Sequence, residues 1–172
     1  ELIDVLPEQA EWEPVIQRLL GGFAVTLLAP AELEREVSSW VNSRHLGTRL
    51  EYRTVPEGTN APRGPSNPLS LFYKVRVVEH PMRPWLMRML AGTFDYALVR
   101  TVDELERQGQ RAATIDGLER NPADKTGSNR YVKNDRLRLG ERRNYRLGSS
   151  NNAKVELLRA ELAEAKSSTT AA

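Results

Sequence analysis

The sequence predicts an α/β fold made of two small mixed α/β lobes, a Pro/Gly-rich linker between them, and a helical stub at the carboxy-terminal end. Three observations predict it. Two stretches of similar punctuation each read strand, helix, strand, helix, strand. The segment between them, Pro56 to Pro68, holds four Pro and two Gly in thirteen residues, so it suits neither a helix nor a central strand. Finally, Val155, Leu158, Leu162 and Ala165 recur at spacings of 3, 4 and 3, the pattern of an a/d seam.

The elements follow in order. Leu2, Ile3 and Val5 make a short strand, and Trp12, Val15, Ile16, Leu19 and Leu20 form the apolar stripe of a helix ended by Gly21-Gly22. Ala24 to Leu28 reads as the second strand. Beyond Pro30 a helix carries Leu33, Val37, Trp40 and Val41 on one face and closes near Gly47, before a third strand over Arg49 to Val55. After the linker the order repeats: strand Phe72 to Val78, helix Pro84 to Leu90 closed by Gly92, strand Tyr96 to Val99, helix Asp103 to Gln108 and strand Ala112 to Asp116. Gly22 and Gly92 lie 70 residues apart and Leu33 and Leu105 lie 72 apart, the spacing of a duplication with small insertions. Generic α/β alternation imitates the same echo. The expected divisions are a first lobe over 1–55, the linker over 56–68, a second lobe over 69–130, a basic connector over 131–150, and helix plus tail over 151–172.

That terminal helix starts at Asn151 or Asn152 as cap. Its two heptads fit either a coiled coil or a helix docked on the body. It runs into Ser-Ser-Thr-Thr-Ala-Ala with no Gly or Pro stop, as a helix cut from a longer one would.

Composition narrows the function. At 172 residues the chain can bury a real core, and 40% hydrophobic with 28% charged residues is ordinary globular composition. There is no run of apolar residues long enough for a membrane span and no signal-like start, so a cytoplasmic protein without membrane contact is expected. Cys is lacking, which removes disulfides and thiolate nucleophiles, and His45 and His80 are too few to rebuild a metal site. No phosphate-binding glycine motif occurs, so neither metal nor cofactor is expected. Ser70, His80 and Asp95 fit no nucleophile-and-base pattern. The pairs Glu32/Glu34 and Asp103/Glu104 sit at helix starts, where negative charge complements the dipole. Trp12 and Trp85 read as core anchors, and the two His as turn or cap residues.

Charge is the informative quantity. Between Lys125 and Arg146 stand eight cations (Lys125, Arg130, Lys133, Arg136, Arg138, Arg142, Arg143 and Arg146) against Asp135 and Glu141, a net of +6. The remaining 150 residues carry 17 basic and 21 acidic groups, a net of −4. A mildly acidic body with a basic strip points to a polyanionic partner, or to a strip whose charges pair with the body.

The residues Thr114 to Ser128 read Thr-Ile-Asp-Gly-Leu-Glu-Arg-Asn-Pro-Ala-Asp-Lys-Thr-Gly-Ser, a strand entering two Gly-marked turns. This resembles the end of the hinge domain of SMC proteins, and Ala10 to Phe23 followed by Val25-Thr-Leu-Leu resembles its opening helix and strand. A closer resemblance is to the MukB-like SMC ATPases of the MksB and Wadjet JetC type. It is carried by Trp40-Val-Asn-Ser-Arg-His-Leu-Gly-Thr-Arg-Leu, Phe94-Asp-Tyr, Asn134-Asp-Arg-Leu-Arg-Leu and Arg143-Asn-Tyr-Arg-Leu-Gly-Ser-Ser-Asn-Asn-Ala-Lys. Such proteins often carry a His/Glu/Lys-Asp-Asp-Arg run where this chain has Tyr131-Val-Lys-Asn-Asp-Arg, and their paired Gly is Gly127-Ser128 here.

The resemblance implies an SMC-hinge-like fold and a homodimer that holds two coiled-coil arms together. It also implies a basic surface offered weakly and non-specifically to double-stranded DNA, at the bacterial nucleoid, in chromosome organisation or plasmid defence. Kleisin-type and accessory subunits would belong to the parent complex, and the ATP site to head domains outside this chain, which itself would not be an enzyme. The dimer contact is expected near Gly117, Thr126, Gly127 and Ser128, the DNA contact on the eight cations above, and the seam on Val155, Leu158, Leu162 and Ala165. Competing readings are a monomeric nucleic-acid-binding domain, in which the strip is the whole function, and a hydrolase with a site between the lobes.

Overall fold

The computed structural model describes residues 2–123, 125–148 and 159–160. Among the described residues up to 148, eight strands and four α-helices follow in the order β1 (Ile3–Val5), α1 (Glu13–Leu20), β2 (Leu27–Pro30), α2 (Glu34–Asn42), β3 (Tyr52–Val55), β4 (Val75–Val77), α3 (Arg83–Ala91), β5 (Ala97–Val99), α4 (Val102–Glu106), β6 (Ala112–Thr114), β7 (Leu118–Asn121) and β8 (Arg130–Lys133). Short 3-10 turns lead into several of them.

The expected order repeats on either side of the Pro/Gly-rich stretch, and the pairing shows how the halves meet. β2 pairs parallel with β3 across α2, and β5 pairs parallel with β6 across α4. β1 and β4, the first strand of each half, pair antiparallel with Ile3 opposite Val77, Asp4 opposite Arg76 and Val5 opposite Val75. Antiparallel pairing of equivalent strands is what two repeats make about a local two-fold axis. Pro14 and Pro84 in the first turns of α1 and α3 keep the 70-residue spacing of Gly22 and Gly92. Both prolines lie where a helix needs no N–H.

The span 1–55 does not close a core of its own. Ile3, Trp12, Val15, Ile16 and Leu20 pack with Leu71, Val75, Val77, Leu86, Leu90 and Leu98 in one cluster that straddles the linker. Each large side chain fully buried there contributes roughly 1.5–3 kcal/mol. Ala97, Val99, Leu105 and Ala112 form a smaller cluster between α4 and the β5–β6 pair. The stretch 56–68 holds no helix or strand, and it is tied down at Asn67 by a bond from its side chain to Gln108 (3.1 Å) and at Asn60 by Arg88 (3.3 Å).

Three elements differ from expectation. Phe23–Val25 forms a 3-10 turn rather than the start of β2, because Phe23 turns inward onto Phe94 and Trp85, with ring centroids 4.8 and 6.1 Å away. Leu71–Lys74 is also a 3-10 turn, capped by the Ser70 hydroxyl accepting from the Phe72 amide at 3.2 Å. The third difference is larger. Where two Gly turns and a connector are expected, β7 and β8 form an antiparallel hairpin that extends β5–β6 to a four-stranded sheet.

Candidate functional site

The hairpin carries the first of the residues singled out by sequence. Arg120 on β7 is buried and donates to the Gln108 carbonyl (2.7 Å) and to Asn129 (3.2 Å), while its Nε lies 3.6 Å from Glu106. Tyr131 on β8 donates to the same Glu106 carboxylate at 2.9 Å. These bonds pin both strands to the end of α4, so the turn between them projects from a fixed base. Lys125, Thr126, Gly127 and Ser128 are all exposed on that turn, and Gly127 has φ +79° with open space around it.

Gly117 does not join them. It is buried within the single chain at φ +82°, and a Cβ there would lie 2.8 Å from Arg18 Nη1. Its lack of a side chain makes room for that guanidinium, so the close approach expected at Gly117 is made by a residue of its own chain.

All eight strip cations are exposed. Arg130 and Lys133 flank the outer edge strand β8, and Arg136, Arg138, Arg142, Arg143 and Arg146 follow on the segment that returns across α1. Among the described residues no carboxylate of the acidic body forms an ion pair with them. Arg143 bonds Glu141 within the strip at 3.0 Å, and Asp135 turns to Arg18 of α1 at 3.5 Å. Among the described residues no ion pair joins Lys125, Arg130, Lys133, Arg136, Arg138 or Arg142 to a carboxylate. Arg130 acts electrostatically on Glu119 of β7. Burial pushes the Glu119 carboxyl above the usual range, against the pull of Arg18 and Arg130.

A second surface lies on the β2–α2–β3 unit. The apolar stripe of α2 is where periodicity puts it, yet no residue of that helix is buried. Leu27 is 58% exposed, Val25 55% and Trp40 52%, with Leu33 also exposed. Leu27, Ala29, Val37, Trp40, Val41 and Leu50 line an open apolar groove of about 440 Å³. Arg44 stacks over the Trp40 ring at 4.4 Å, and Glu36 stands at the rim. A two-stranded parallel sheet with an uncovered apolar face is unusual in a free-standing fold. Exposed patches of this kind mark contact surfaces.

The other candidates have structural duties. Ser70 is fully buried and donates to Asp95 at 2.6 Å, and Asp95 also accepts from Gln110 at 3.2 Å. His80 takes no part in that pair; its Nδ1 accepts from the Met82 amide in the turn before α3. Trp12 is buried and Trp85 packs against the same core, as expected of anchors. Val155, Leu158, Leu162 and Ala165 lie outside the described residues; Arg159 and Ala160 between them are helical and exposed.

Two residues of α1 escaped the sequence reading. Gln17, although polar, is buried, and Arg18 donates to the Leu137 carbonyl at 2.8 Å. Their partners lie more than a hundred residues away, so no local pattern marks them. The weak signal available was a Gln beside an apolar helical stripe.

No family model matches the chain, and no curated protein matches it. Solved structures do. The chain is similar to the Pyrococcus furiosus Smc hinge domain with an extended coiled coil, at 18% identity and a TM-score of 0.54, over 99% of this chain and 58% of that one. It is also similar to the crystal structure of the Pyrococcus furiosus SMC protein hinge domain, at 20% identity and a TM-score of 0.51, over 80% of this chain and 71% of that one. The fold is that of an SMC hinge-like α/β domain, as the sequence predicts.

Proposed function

We propose that this chain is the dimerisation hinge of an SMC-type, DNA-organising ATPase, and that its parent is MukB-like, of the MksB or JetC kind. The observation that carries the reading is the uncovered apolar face of β2–α2–β3, where Val25, Leu27, Leu33 and Trp40 are exposed on a two-stranded sheet. A second copy that covers this face would remove it from water and give the short sheet a neighbour. The acidic start of α2 (Glu32, Glu34, Glu36) complements the basic edge strand β8 with its exposed Tyr131. A head-to-tail contact between the two would be made twice in a closed two-fold ring. The exposed turn with Thr126, Gly127 and Ser128 sits at the end of β8 and belongs to the same proposed contact. The fold likeness supports the reading, since both similar structures are SMC hinges.

The basic strip supplies the second half of the proposal, a weak, sequence-independent contact with double-stranded DNA through the strip cations beyond β8, Arg136 to Arg146, which the proposed dimer contact leaves free. Phosphates need only the cations, and no recognition-helix or zinc-finger pattern reads bases here. Kleisin-type and accessory subunits would bind the parent complex elsewhere. A nucleoid-associated, non-catalytic role follows from the same reading.

Light scattering or sedimentation tests it. At tens of micromolar the mass should be twice 19.4 kDa, and Leu27→Glu with Trp40→Glu should return it to 19.4 kDa without loss of helix content. A wild-type monomer at that concentration would sink the hinge reading. It would favour a monomeric nucleic-acid-binding domain, which the strip cations without an ion pair among the described residues also support.

A further inference from the structure

Gln17 is 7% exposed among Val15, Ile16 and Leu20, the other buried residues of α1. A carboxamide there costs several kcal/mol unless its hydrogen bonds are made, by the general cost of burying polar groups. They are made, and all to one place. Oε1 accepts from the amides of Arg146 (2.8 Å) and Leu147 (2.9 Å), and Nε2 donates to the Leu147 carbonyl at 3.0 Å. The side chain thus offers Leu147 the donor and acceptor that a neighbouring strand would offer. The same stretch is held at two further points. Arg146 Nη1 donates to the Gly21 carbonyl at the end of α1 (3.1 Å), and the Gly148 amide donates to the Ile3 carbonyl of β1 (3.2 Å). Leu147 itself packs against the main core.

We propose that Gln17 is a positioning residue that couples the segment Arg146–Gly148 to the core, fixing the place and direction of the backbone there. The bond from Gly148 to Ile3 holds the backbone at Gly148 beside β1. Displacement of residues 146–148 from the body is resisted first by α1, through Gln17, and by β1. Residues of similar size fail for different reasons. Leu would pack but leave two amides and a carbonyl unpaired, and Glu would keep the acceptor but bring a charge and lose the donor. All of these bonds lie within one chain, whether or not a second copy covers the β2–α2–β3 face.

The lack of native Cys allows clean labelling. Spin labels at Glu8→Cys and Arg143→Cys, both exposed sites, report the distance from the body to the segment that Gln17 holds. The wild-type background should give a narrow distance distribution. Gln17→Leu should broaden it and speed amide exchange of Arg146, Leu147 and Gly148 by about tenfold or more, while the Leu98 and Ala113 amides keep their protection. Gln17→Glu, the second variant should Gln17→Leu fail to fold, should show the same local effect to a smaller degree. Wild-type distances and exchange at 146–148 in a folded variant would overturn the proposal. So would loss of protection at Leu98 and Ala113 equal to that at 146–148, which would make Gln17 a general core residue.

Discussion

Gly117 yields its space to Arg18: a Cβ on the glycine would stand 2.8 Å from Nη1 of the arginine, and the backbone there has φ +82°. The guanidinium so accommodated reaches Leu137 O and Asp135, which tie the returning basic segment to α1. Gly117→Ala should therefore destabilise the fold by about 2 kcal/mol, from left-handed backbone strain and a displaced arginine together. Chemical denaturation of the single and double variants checks this. Because Arg18→Ala removes the obstruction, the two substitutions should cost less together than the sum of each alone.

The start of α4 is built as a reciprocal cap. Thr101 accepts from the Glu104 amide at 3.2 Å, and Glu104 accepts from the amides of Arg100 (2.8 Å) and Thr101 (3.2 Å). Thr101→Ala should cost about 1 kcal/mol, the usual value of such a cap. The bonds from the Arg100 and Thr101 backbone hold the Glu104 carboxyl below the usual range. A carboxyl depressed in the folded state stabilises above its unfolded pKa and loses that contribution as pH falls through the folded value. Acid titration of stability should show this loss in wild type and not in Glu104→Gln.

Glu119 has the opposite sign. Burial raises its carboxyl, so the folded protein holds this proton more tightly than the unfolded chain does. Its contribution is most favourable in acid and declines as pH climbs from the usual carboxylate range through the raised folded value. Glu119→Gln should thus be more stable than wild type at neutral pH, with the gain vanishing near pH ~3, where both states carry the proton. Arg18 and Arg130 oppose the burial effect, so Arg130→Ala should enlarge the gain. Urea midpoints across that pH range decide it.

Much of this architecture is legible in sequence where the signal is local. Trp12, Val15, Ile16, Leu19 and Leu20 announce α1 by spacing alone, and the paired marks at Gly22 and Gly92 announce the repeated order. β7 and β8 are not legible, because Leu-Glu-Arg-Asn and Arg-Tyr-Val-Lys are charged segments that become strands only by pairing with each other and with β6. Periodicity likewise placed Leu33, Val37, Trp40 and Val41 on one face of α2, but it cannot say what covers a face, and here the chain itself leaves it open. Gly117 shows the same limit. A glycine that permits a close approach reads alike whether the approaching group belongs to its own chain or another.

The basic strip gives the prediction most directly tied to function. Arg136, Arg138 and Arg142 are exposed and have no carboxylate partner among the described residues, so no internal pairing must be broken before a phosphate can bind. Arg143 already shares Glu141, and Arg146 spends one nitrogen on Gly21, so each should contribute less. If about three to five cations engage, log K for a duplex of mixed sequence should fall against log salt with a slope of about −3 to −4.5, and a scrambled duplex should give the same line. Reversing Arg136, Arg142 and Arg143 to Glu should abolish retention while leaving the solution mass unchanged, because none of the three lies on the β2–α2–β3 face. Thermal melting separates this from a structural role: all three arginines are exposed and only Arg143 has a carboxylate partner, a surface pair with Glu141, so their replacement should shift stability by no more than about 1 kcal/mol. A triple variant that melts much lower, together with no salt-dependent retention by wild type at low ionic strength, would reassign the strip to holding the body together.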